Sequence, residues 1–503
     1  MAGRWIVRNA DDDALAGLAL AVAGDRIIGL DPLAKLKHAH PGAEIVGGED
    51  VAVLPGFINA HHHSPGVSSN LRGVVDDALE PWIIALAGAA SLPPDLAARL
   101  AGAALLRSGV TTVVDMCTGG RGSLDEFADA QRGTARGYRA AGVRAMVAPG
   151  VRFRNFLAQA DGEDAAFVAS LPADLGKLAQ GIVDDERPAL RDYIAAVGAL
   201  VEEMRAEPLT DIWFGPPGPQ WVGIDGFAEI AEAARDRDTR LQTHALESVS
   251  EGLEGPRSIG RGRIAALADA GALSDRLSLA HAVWASEADI EIIAGHGVAV
   301  SHNPSSNLRL RAGIAPVRAF LAANVTLGLG LDGTALGNDD DMFAEIRLAA
   351  NLQRPETLGA AATTARQAFG FATRGGARLV GRAGELGEIS VGARADLCLV
   401  ELDRMLWPWL DAEADPLDVI LARARASDVR DVMVAGAWRL RNREIQGFDL
   451  AAAGAEAADR LTRSRPSAAR RAAVQALARA IHDWHRAWPR PELAPHAIYN
   501  SRR

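Results

Sequence analysis

The chain has 503 residues, 49% of them hydrophobic and 23% charged, so it can bury a large core and build more than one domain. Its formal net charge of -11 argues against nucleic acid or an anionic membrane as a partner. Two cysteines exclude a disulfide framework, and we find neither a signal peptide nor an apolar run of membrane-spanning length, so a cytoplasmic protein is expected.

Short strand-like runs broken by Gly, Asp and Pro fill the first 54 residues, and similar runs return between residues 387 and 440. Between them, apolar strands alternate with Ala-rich helical stretches, a pattern typical of βα units around a parallel sheet. The strands predicted in this region are Leu54–Ala60, Val110–Met116, Val143–Ala148, Ile212–Gly215, Leu241–His244, Leu277–His281, Val298–Ser301 and Thr326–Leu331. Eight βα units close into a barrel.

The fold class predicted from this order is α/β: a (β/α)8 TIM barrel with a small β-sandwich domain. The barrel is expected to occupy residues 55–381. Residues 1–54 and 382–448, from the two ends of the chain, are expected to build the β domain together. The Arg- and Ala-rich remainder, residues 449–503, is predicted to be a C-terminal helical extension.

The first predicted barrel strand runs into three consecutive histidines, His61, His62 and His63. Side chains alternate along a strand, so His61 and His63 point to one side and His62 to the other. Two imidazoles placed in this way at the C-terminal end of a barrel strand can hold one metal ion. Taken alone, the three residues could also be a surface histidine cluster.

Three later predicted strands also end at residues of metal-binding types. His244 ends the fifth strand, His281 ends the sixth and Asp332 follows the eighth. Barrel enzymes place their catalytic groups at these strand ends. A single histidine there is more often a hydrogen-bonded core residue, but the joint occurrence of all these residues at strand ends favours a metal site.

These residues together resemble the metal and catalytic set of the amidohydrolase superfamily. Further motifs are similar to those of its branch of cytosine, guanine and S-adenosylhomocysteine deaminases and triazine (atrazine) hydrolases: His244-x-x-Glu247, Ser301-His302-Asn303-Pro304-Ser305-Ser306-Asn307, Leu331-Asp332-Gly333, Asn70-Leu71-Arg72-Gly73 with Trp82, and Gly387-Glu388-Ile389. The resemblance covers roughly residues 1–445.

The resemblance implies that one divalent metal per chain, Zn(II) or Fe(II), is bound by His61, His63, His244 and Asp332. Such a metal lowers the pKa of bound water from about 15.7 towards 7. Binuclear relatives need a lysine or a similar residue at the end of strand four. Here the segment 212–221 carries no basic or acidic side chain, so one metal is expected.

The resemblance also implies catalytic roles for three residues. His281 would hydrogen-bond the metal's water, Asp332 would accept its proton, and Glu247 would move protons to the substrate and the departing amine. These roles suit the chemistry of the side chains, because a carboxylate can accept and return a proton and an imidazole can fix the attacking water.

The substrate-binding candidates are Arg72, Trp82, Gln220, Trp221, Ser306 and Asn307. A Pro-rich turn with a buried Trp is the alternative for Gln220 and Trp221, and a loop cap is the alternative for Ser306 and Asn307. Nucleoside deaminases of this branch commonly carry a substrate-facing histidine after strand four. The segment after strand four has none, which argues against adenosine-like substrates.

The expected function is hydrolytic deamination of an amino-substituted nitrogen heterocycle of purine, pterin, pyrimidine or triazine type. Release of chloride or an alkylamine from a triazine, or opening of a cyclic amide, would use the same metal site and remains open. A non-catalytic structural barrel is the alternative from another class. The expected partners are a small-molecule substrate and a second copy of the chain, because residues 450–490 offer a helical face for a homodimer or a higher oligomer.

Overall fold

The computed structural model describes residues 1–118, 122–355 and 362–489, so residues 490–503 of the predicted extension lie outside the described part. The strands are β1 (Ala2–Ile6), β2 (Leu15–Ala16), β3 (Leu18–Ala23), β4 (Arg26–Pro32), β5 (Gly47–Pro55), β6 (Phe57–His62), β7 (Val110–Thr118), β8 (Arg144–Gly150), β9 (Thr210–Ile212), β10 (Leu241–Ala245), β11 (Leu277–His281), β12 (Ala299–His302), β13 (Leu327–Leu329), β14 (Leu397–Glu401), β15 (Val429–Val434), β16 (Ala437–Arg441) and β17 (Glu444–Ile445).

The α-helices are α1 (Leu33–Ala39), α2 (Leu79–Leu86), α3 (Pro94–Arg107), α4 (Leu124–Ala141), α5 (Glu163–Ser170), α6 (Ala173–Val183), α7 (Leu190–Met204), α8 (Pro219–Val222), α9 (Ile224–Asp236), α10 (Val249–Ile259), α11 (Arg263–Asp269), α12 (Glu287–Gly295), α13 (Pro304–Arg309), α14 (Val317–Ala322), α15 (Met342–Leu352), α16 (Ala365–Gly370), α17 (Gly376–Leu379), α18 (Asp403–Leu406), α19 (Pro416–Arg423), α20 (Leu450–Arg463) and α21 (Ala468–Arg486). Asn70–Arg72 and Ala426–Asp428 form 3-10 turns, and Phe371–Gly375 forms a π-helical turn.

Strands β6 to β13 form a parallel barrel in which neighbouring strands are consecutive in the chain, except where the last strand, β13, pairs with the first, β6. The barrel closes between β9 and β10. There Phe214 pairs with Leu241, and the backbone N–H of Gln242 donates to the Phe214 carbonyl at 3.1 Å. The predicted (β/α)8 architecture is confirmed, and each predicted strand overlaps an observed one, although β9 meets the predicted strand Ile212–Gly215 only at Ile212. The barrel interior is filled by apolar side chains such as Ile58, Met146 and Trp213.

The start predicted for the first barrel strand is wrong by three residues, since β6 begins at Phe57 and not at Leu54. Leu54 and Pro55 belong to β5, where they pair with Cys398 and Leu397 of β14 in a second sheet. The chain passes from this sheet into the barrel at Gly56, where an added Cβ would lie 2.3 Å from the Thr111 side chain. This close approach leaves room for glycine alone, so the transition between the two sheets is fixed there.

The second sheet joins the two ends of the chain. Its strands β1 to β5 come from the N-terminal end and β14 to β17 from the C-terminal end, and β5 pairs with β14 in the middle. Its own apolar cluster contains Ile6, Leu20 and Leu397. A second sheet beside the barrel agrees with the predicted fold class.

The helical extension is divided by Pro466 into α20 and α21, and the Ser467 side chain caps α21 by accepting from the Arg470 amide. The apolar face of α21 packs on α2 and on the segment 157–182 of the same chain. Contact of this extension with a second subunit therefore stays a prediction, since its apolar face has an intramolecular partner. Among the described residues, no helix combines the length and apolarity needed to span a bilayer.

Candidate active site

His61, at the C-terminal end of β6, is held in one tautomer by Gln242 of β10. The Gln242 amide nitrogen donates to the Ala60 carbonyl at 2.9 Å and to the Ser278 hydroxyl at 3.0 Å, so its oxygen faces His61 Nδ1 at 2.8 Å. An amide oxygen only accepts, so Nδ1 carries the proton. The buried Nε2 is left with a bare lone pair and no hydrogen-bond partner among the described residues.

His63 and His244 are fixed in the same tautomer by backbone carbonyls. His63 Nδ1 lies 2.7 Å from the Met116 oxygen, and His244 Nδ1 lies 2.7 Å from the Pro217 oxygen. Both Nδ1 atoms must donate, so the two Nε2 atoms face each other at 3.1 Å with their lone pairs. Such an arrangement is repulsive unless a cation lies against it.

Asp332 adds an oxygen to this group of nitrogens. Its Oδ1 lies 3.2 Å from Nε2 of His61 and 3.2 Å from Nε2 of His63. Burial alone would raise the pKa of Asp332, but positive charge against its oxygens, which protonated imidazoles or a bound cation supply, holds that pKa well below its usual range. The carboxylate is therefore ionised in this pocket.

The backbone after β13 fixes the position of Asp332. The Leu331 amide donates to the Asn59 side-chain oxygen and the Asp332 amide donates to the His61 carbonyl, each at 2.9 Å. Asp332 itself adopts a φ of 59°, a conformation that costs free energy in a non-glycine residue and that is common at functional sites. The acid is thus fastened to the strand that carries two of the histidines.

The donor set fits a divalent metal. Three imidazole nitrogens and one carboxylate oxygen are the ligands that Zn(II) prefers, and His61, His63 and His244 bring their donor atoms within 4.8 Å of one another. A single proton can remove the repulsion between only one pair of facing lone pairs. One metal ion can be bound by the lone pairs of all four residues at once. We therefore define the metal cluster as His61, His63, His244 and Asp332.

His281 and Glu247 lie beside the metal cluster. His281 Nε2 is 3.5 Å from Glu247 Oε2 and 3.9 Å from Asp332 Oδ2, while its Nδ1 faces the Asn307 side-chain oxygen at 2.8 Å. Burial lowers the pKa of His281 to about 4, so the ring is neutral near pH 7, and the Asn307 oxygen directs its proton to Nδ1. Its Nε2 lone pair points towards the two carboxyl groups.

Glu247 sits in a buried group of carboxyls. Burial raises the pKa of Glu247 well above its usual range, and the charges of Glu251, Asp332 and Glu80 raise it further. The Glu251 carboxylate accepts from the Glu247 amide at 2.8 Å, and Glu80 accepts from the Ser248 hydroxyl. These surroundings favour the protonated form of Glu247 over the carboxylate.

Two of the substrate-binding candidates have their own partners in the structure. The Gln220 amide donates to Glu251 at 3.0 Å, and the Trp221 ring is covered by the Arg152 guanidinium 3.9 Å from its centroid. Both residues are buried in the short helix α8. Gln220 is linked to Glu247 through Glu251, which accepts from the Gln220 side chain and from the Glu247 backbone amide.

The other candidates differ in their surroundings. Arg72 is half-buried, burial lowers its pKa, and its guanidinium donates to the Ala90 carbonyl at 3.3 Å. Trp82, half-buried on α2, and Ser306, fully buried on α13, each have a polar side-chain atom without a partner among the described residues. Asn307 uses its side-chain oxygen on His281, while its amide nitrogen has no such partner.

Sequence reasoning assigned no role to Gln242, Glu251 or Glu80. The first two carried a detectable signal: Gln242 lies two residues before His244, on the same side of β10, and Glu251 follows Glu247 by four residues. Glu80 carried none, because it reaches Ser248 from 168 residues away. Alternation along β6 predicts that His62 points away from the metal cluster. Its Nε2 lies 3.7 Å from Asp340, which is outside that cluster, as expected.

Similarity to known proteins extends over most of the chain. The amidohydrolase family matches residues 52–439. An 8-oxoguanine deaminase of Pseudomonas aeruginosa is 34% identical over 420 residues, covering 82% of this chain and 88% of that protein. A 5-methylthioadenosine/S-adenosylhomocysteine deaminase of Halobacterium salinarum is also 34% identical, over 429 residues, covering 83% and 88%.

A solved structure shows the same likeness in three dimensions. The crystal structure of an adenosine deaminase from Xanthomonas campestris with bound zinc has a TM-score of 0.74 and 29% identity, covering 92% of this chain and 97% of that one. The family match runs from β5 to β16 and leaves α20 and α21 outside it.

Proposed function

The chain belongs to the amidohydrolase family, and from this membership and the geometry of the site we propose that it binds one divalent metal and deaminates an amino-substituted purine-type heterocycle with water. The observation that carries the proposal is the metal cluster, in which three bare imidazole nitrogens and one ionised carboxylate point to a single place. Zinc is the metal we propose, because the donor set suits it and a similar structure holds it.

Held by these four residues, a divalent metal would lower the pKa of bound water, so that hydroxide would be available as a nucleophile near neutral pH. Asp332 is placed to accept the proton of that water on Oδ2, since its Oδ1 faces His61 and His63. The neutral His281 orients the water through its Nε2 lone pair, which lies 3.9 Å from Asp332 Oδ2. The two residues thus hold the nucleophile from two sides.

Glu247 supplies the proton that the substrate needs. Attack on the amine-bearing carbon of a heterocycle places negative charge on the neighbouring ring nitrogen, and a carboxylic acid beside it neutralises that charge. Burial raises the pKa of Glu247 well above its usual range, which favours its protonated form, and the carboxyl lies 3.5 Å from His281. The proton taken up by Asp332 can then go to the leaving amine, which departs as ammonia. As the C–N bond breaks and the C=O bond forms, the hydroxyl proton of the attacked carbon returns to Glu247, so both carboxyls regain their starting state.

Two similar proteins are named for deamination of 8-oxoguanine and of adenosine-containing compounds, so purines are the substrate class we propose. Within it we propose a free base, since the segment after β9 carries prolines and Gln220 where a substrate-facing histidine was expected for nucleosides. The half-buried Trp82 offers a face on which a flat ring can stack.

The test is ammonia release from a matched panel of aminopurine bases, nucleosides and nucleoside 5′-phosphates, with pterins, pyrimidines and triazines added. We expect kcat/KM to be largest for a free purine base and smallest for the phosphates. A preference for nucleotides that Arg72→Ala abolishes would contradict the proposed free-base pocket. No ammonia release by zinc-loaded protein from any compound of the panel would contradict deamination itself.

Asn307→Leu tests the tautomer of His281. Leucine has a similar size but leaves Nδ1 without its acceptor, so His281 can turn or carry its proton on Nε2. We expect kcat to fall roughly 10–100-fold with unchanged metal content, as for other partners that orient an active-site histidine. Asn351→Leu, at an exposed position on α15, is the control. An unchanged kcat for Asn307→Leu would show that Asn307 does not orient His281.

A further inference from the structure

A cavity of about 290 Å³ opens at the opposite end of the barrel from the metal cluster, where β9, β10 and β11 begin. Its lining includes Arg240, directly before β10, and Arg276, directly before β11. His244 lies four residues further along β10, so about 13 Å of strand separates it from Arg240. The cavity is therefore separate from the proposed active site, and its ligand can be inferred independently of the proposed function.

The lining of this cavity is strongly basic in a chain whose net charge is -11. It contains five arginines and two aspartates: Arg205, Arg237, Arg240, Arg276, Arg382, Asp211 and Asp238. The two acids already have partners, since Asp238 pairs with Arg276 at 2.7 Å and Asp211 with Arg382 at 3.1 Å. Arg205 pairs with Glu202 at 2.8 Å. Among the described residues, Arg237 and Arg240 form no ion pair with a carboxylate, although the charge of Asp275 acts on Arg240, so their charges are the least compensated in the lining.

These two guanidinium groups are held in place by backbone contacts. Arg237 donates to the Ala233 carbonyl at 3.2 Å and lies over Gly198, where an added Cβ would come within 2.1 Å of its Nε. Arg240 donates to the Asp275 carbonyl and lies against Gly381, where an added Cβ would be 2.9 Å from its Nη1. The two glycines leave the room that the guanidinium groups occupy.

A buried hydroxyl in the lining also has no partner. Thr210 is 3% exposed, and its Oγ1 makes no hydrogen bond within the described residues, although buried polar groups are normally paired. A hydroxyl can donate to an oxyanion, as the two arginines can. The lining thus contains positive charge and, in Thr210, a hydroxyl without a partner among the described residues.

The remaining wall is apolar and includes the indole of Trp213, together with Val201, Met204, Ile212 and Val380. We propose that this cavity binds a small organic anion that joins a phosphate group to a flat, apolar ring. The arginine forks suit phosphate oxygens, and the indole and its apolar neighbours suit the ring. The volume is near the lower limit for small-molecule sites, so the ligand is a small one.

The test is a calorimetric titration of the metal-loaded full chain with phenyl phosphate. Separate titrations with phenol and with inorganic phosphate measure the binding of the ring and of the phosphate group alone. We expect saturable binding of phenyl phosphate that is tighter than that of either part. Arg237→Gln and Arg240→Gln should each weaken it roughly tenfold or more, since each removes a charged donor. Arg235→Gln is the matched control. Arg235 lies in the last turn of α9, two residues before the helix cap Arg237, but it does not line the cavity.

Thermal unfolding of each variant checks that it folds. If the Arg240→Gln protein does not fold, Arg240→Lys replaces it, because lysine keeps the charge but lacks the forked guanidinium. The proposal is overturned if phenyl phosphate does not bind, or binds equally to all variants. It is also overturned if a substrate or inhibitor of the active site displaces the ligand competitively. Equal affinity for phenyl phosphate and inorganic phosphate would contradict the proposed contact between the apolar wall and the ring of the ligand.

Discussion

The His244→Ala protein is expected to lose its metal and its activity while keeping its fold. Its Nε2 is one of four donors, and the remaining three leave a weaker site with one coordination position open. Lewis-acid activation of water contributes several kcal/mol, so kcat/KM should fall by roughly 10³-fold or more. The fold should persist, because the barrel interior and the helix layer are apolar and independent of the metal cluster.

Metal analysis of purified protein, ammonia release and a circular-dichroism melt measure the three parts of this expectation. His296→Ala is the control: His296 is exposed after α12, outside the metal cluster, and should keep both metal and activity. One tightly held metal in His244→Ala protein would remove His244 from the ligand set. Two tightly held metals in the unchanged protein would contradict a mononuclear site.

The convergence of the metal cluster follows from local rules that a sequence carries. Alternation along β6 sets His61 and His63 on one side, and parallel strands bring their C-terminal ends to one rim, so His244, His281 and Asp332 gather there. These rules need only the approximate positions of the strands, and an error of three residues at the start of β6 does not affect them.

Side-chain partners outside the strands could not be predicted in this way. Gln220 and Trp221 were placed correctly after β9, but the direction of their side chains depends on Glu251 and Arg152, which belong to other elements. Glu80 lies on α2, and α2 is held by α21 from the far end of the chain. Such contacts depend on tertiary packing, which cannot be predicted from the periodicity or the spacing of residues in the sequence.

Glu247→Gln is expected to lower kcat by roughly 10²–10⁴-fold, because glutamine keeps the size and hydrogen bonding of glutamate but cannot transfer a proton. Metal content should not change, since Glu247 contacts His281 at 3.5 Å and is not part of the metal cluster. Glu229→Gln, at an exposed position on α9, is the control and should keep full activity. Loss of metal in Glu247→Gln protein would make Glu247 a support of the cluster instead of the proton donor.

The same substitution is expected to raise the melting temperature. Burial and the charges of Glu251, Asp332 and Glu80 raise the pKa of Glu247 in the folded state. A carboxyl whose pKa is raised by folding is easier to ionise in the unfolded chain, so it destabilises the fold at any pH above its unfolded value. A neutral amide removes this effect, and stability is thus gained where activity is lost. A lower melting temperature at pH 7 would mean that Glu247 serves the fold, and its place in the catalytic proton transfer would need another explanation.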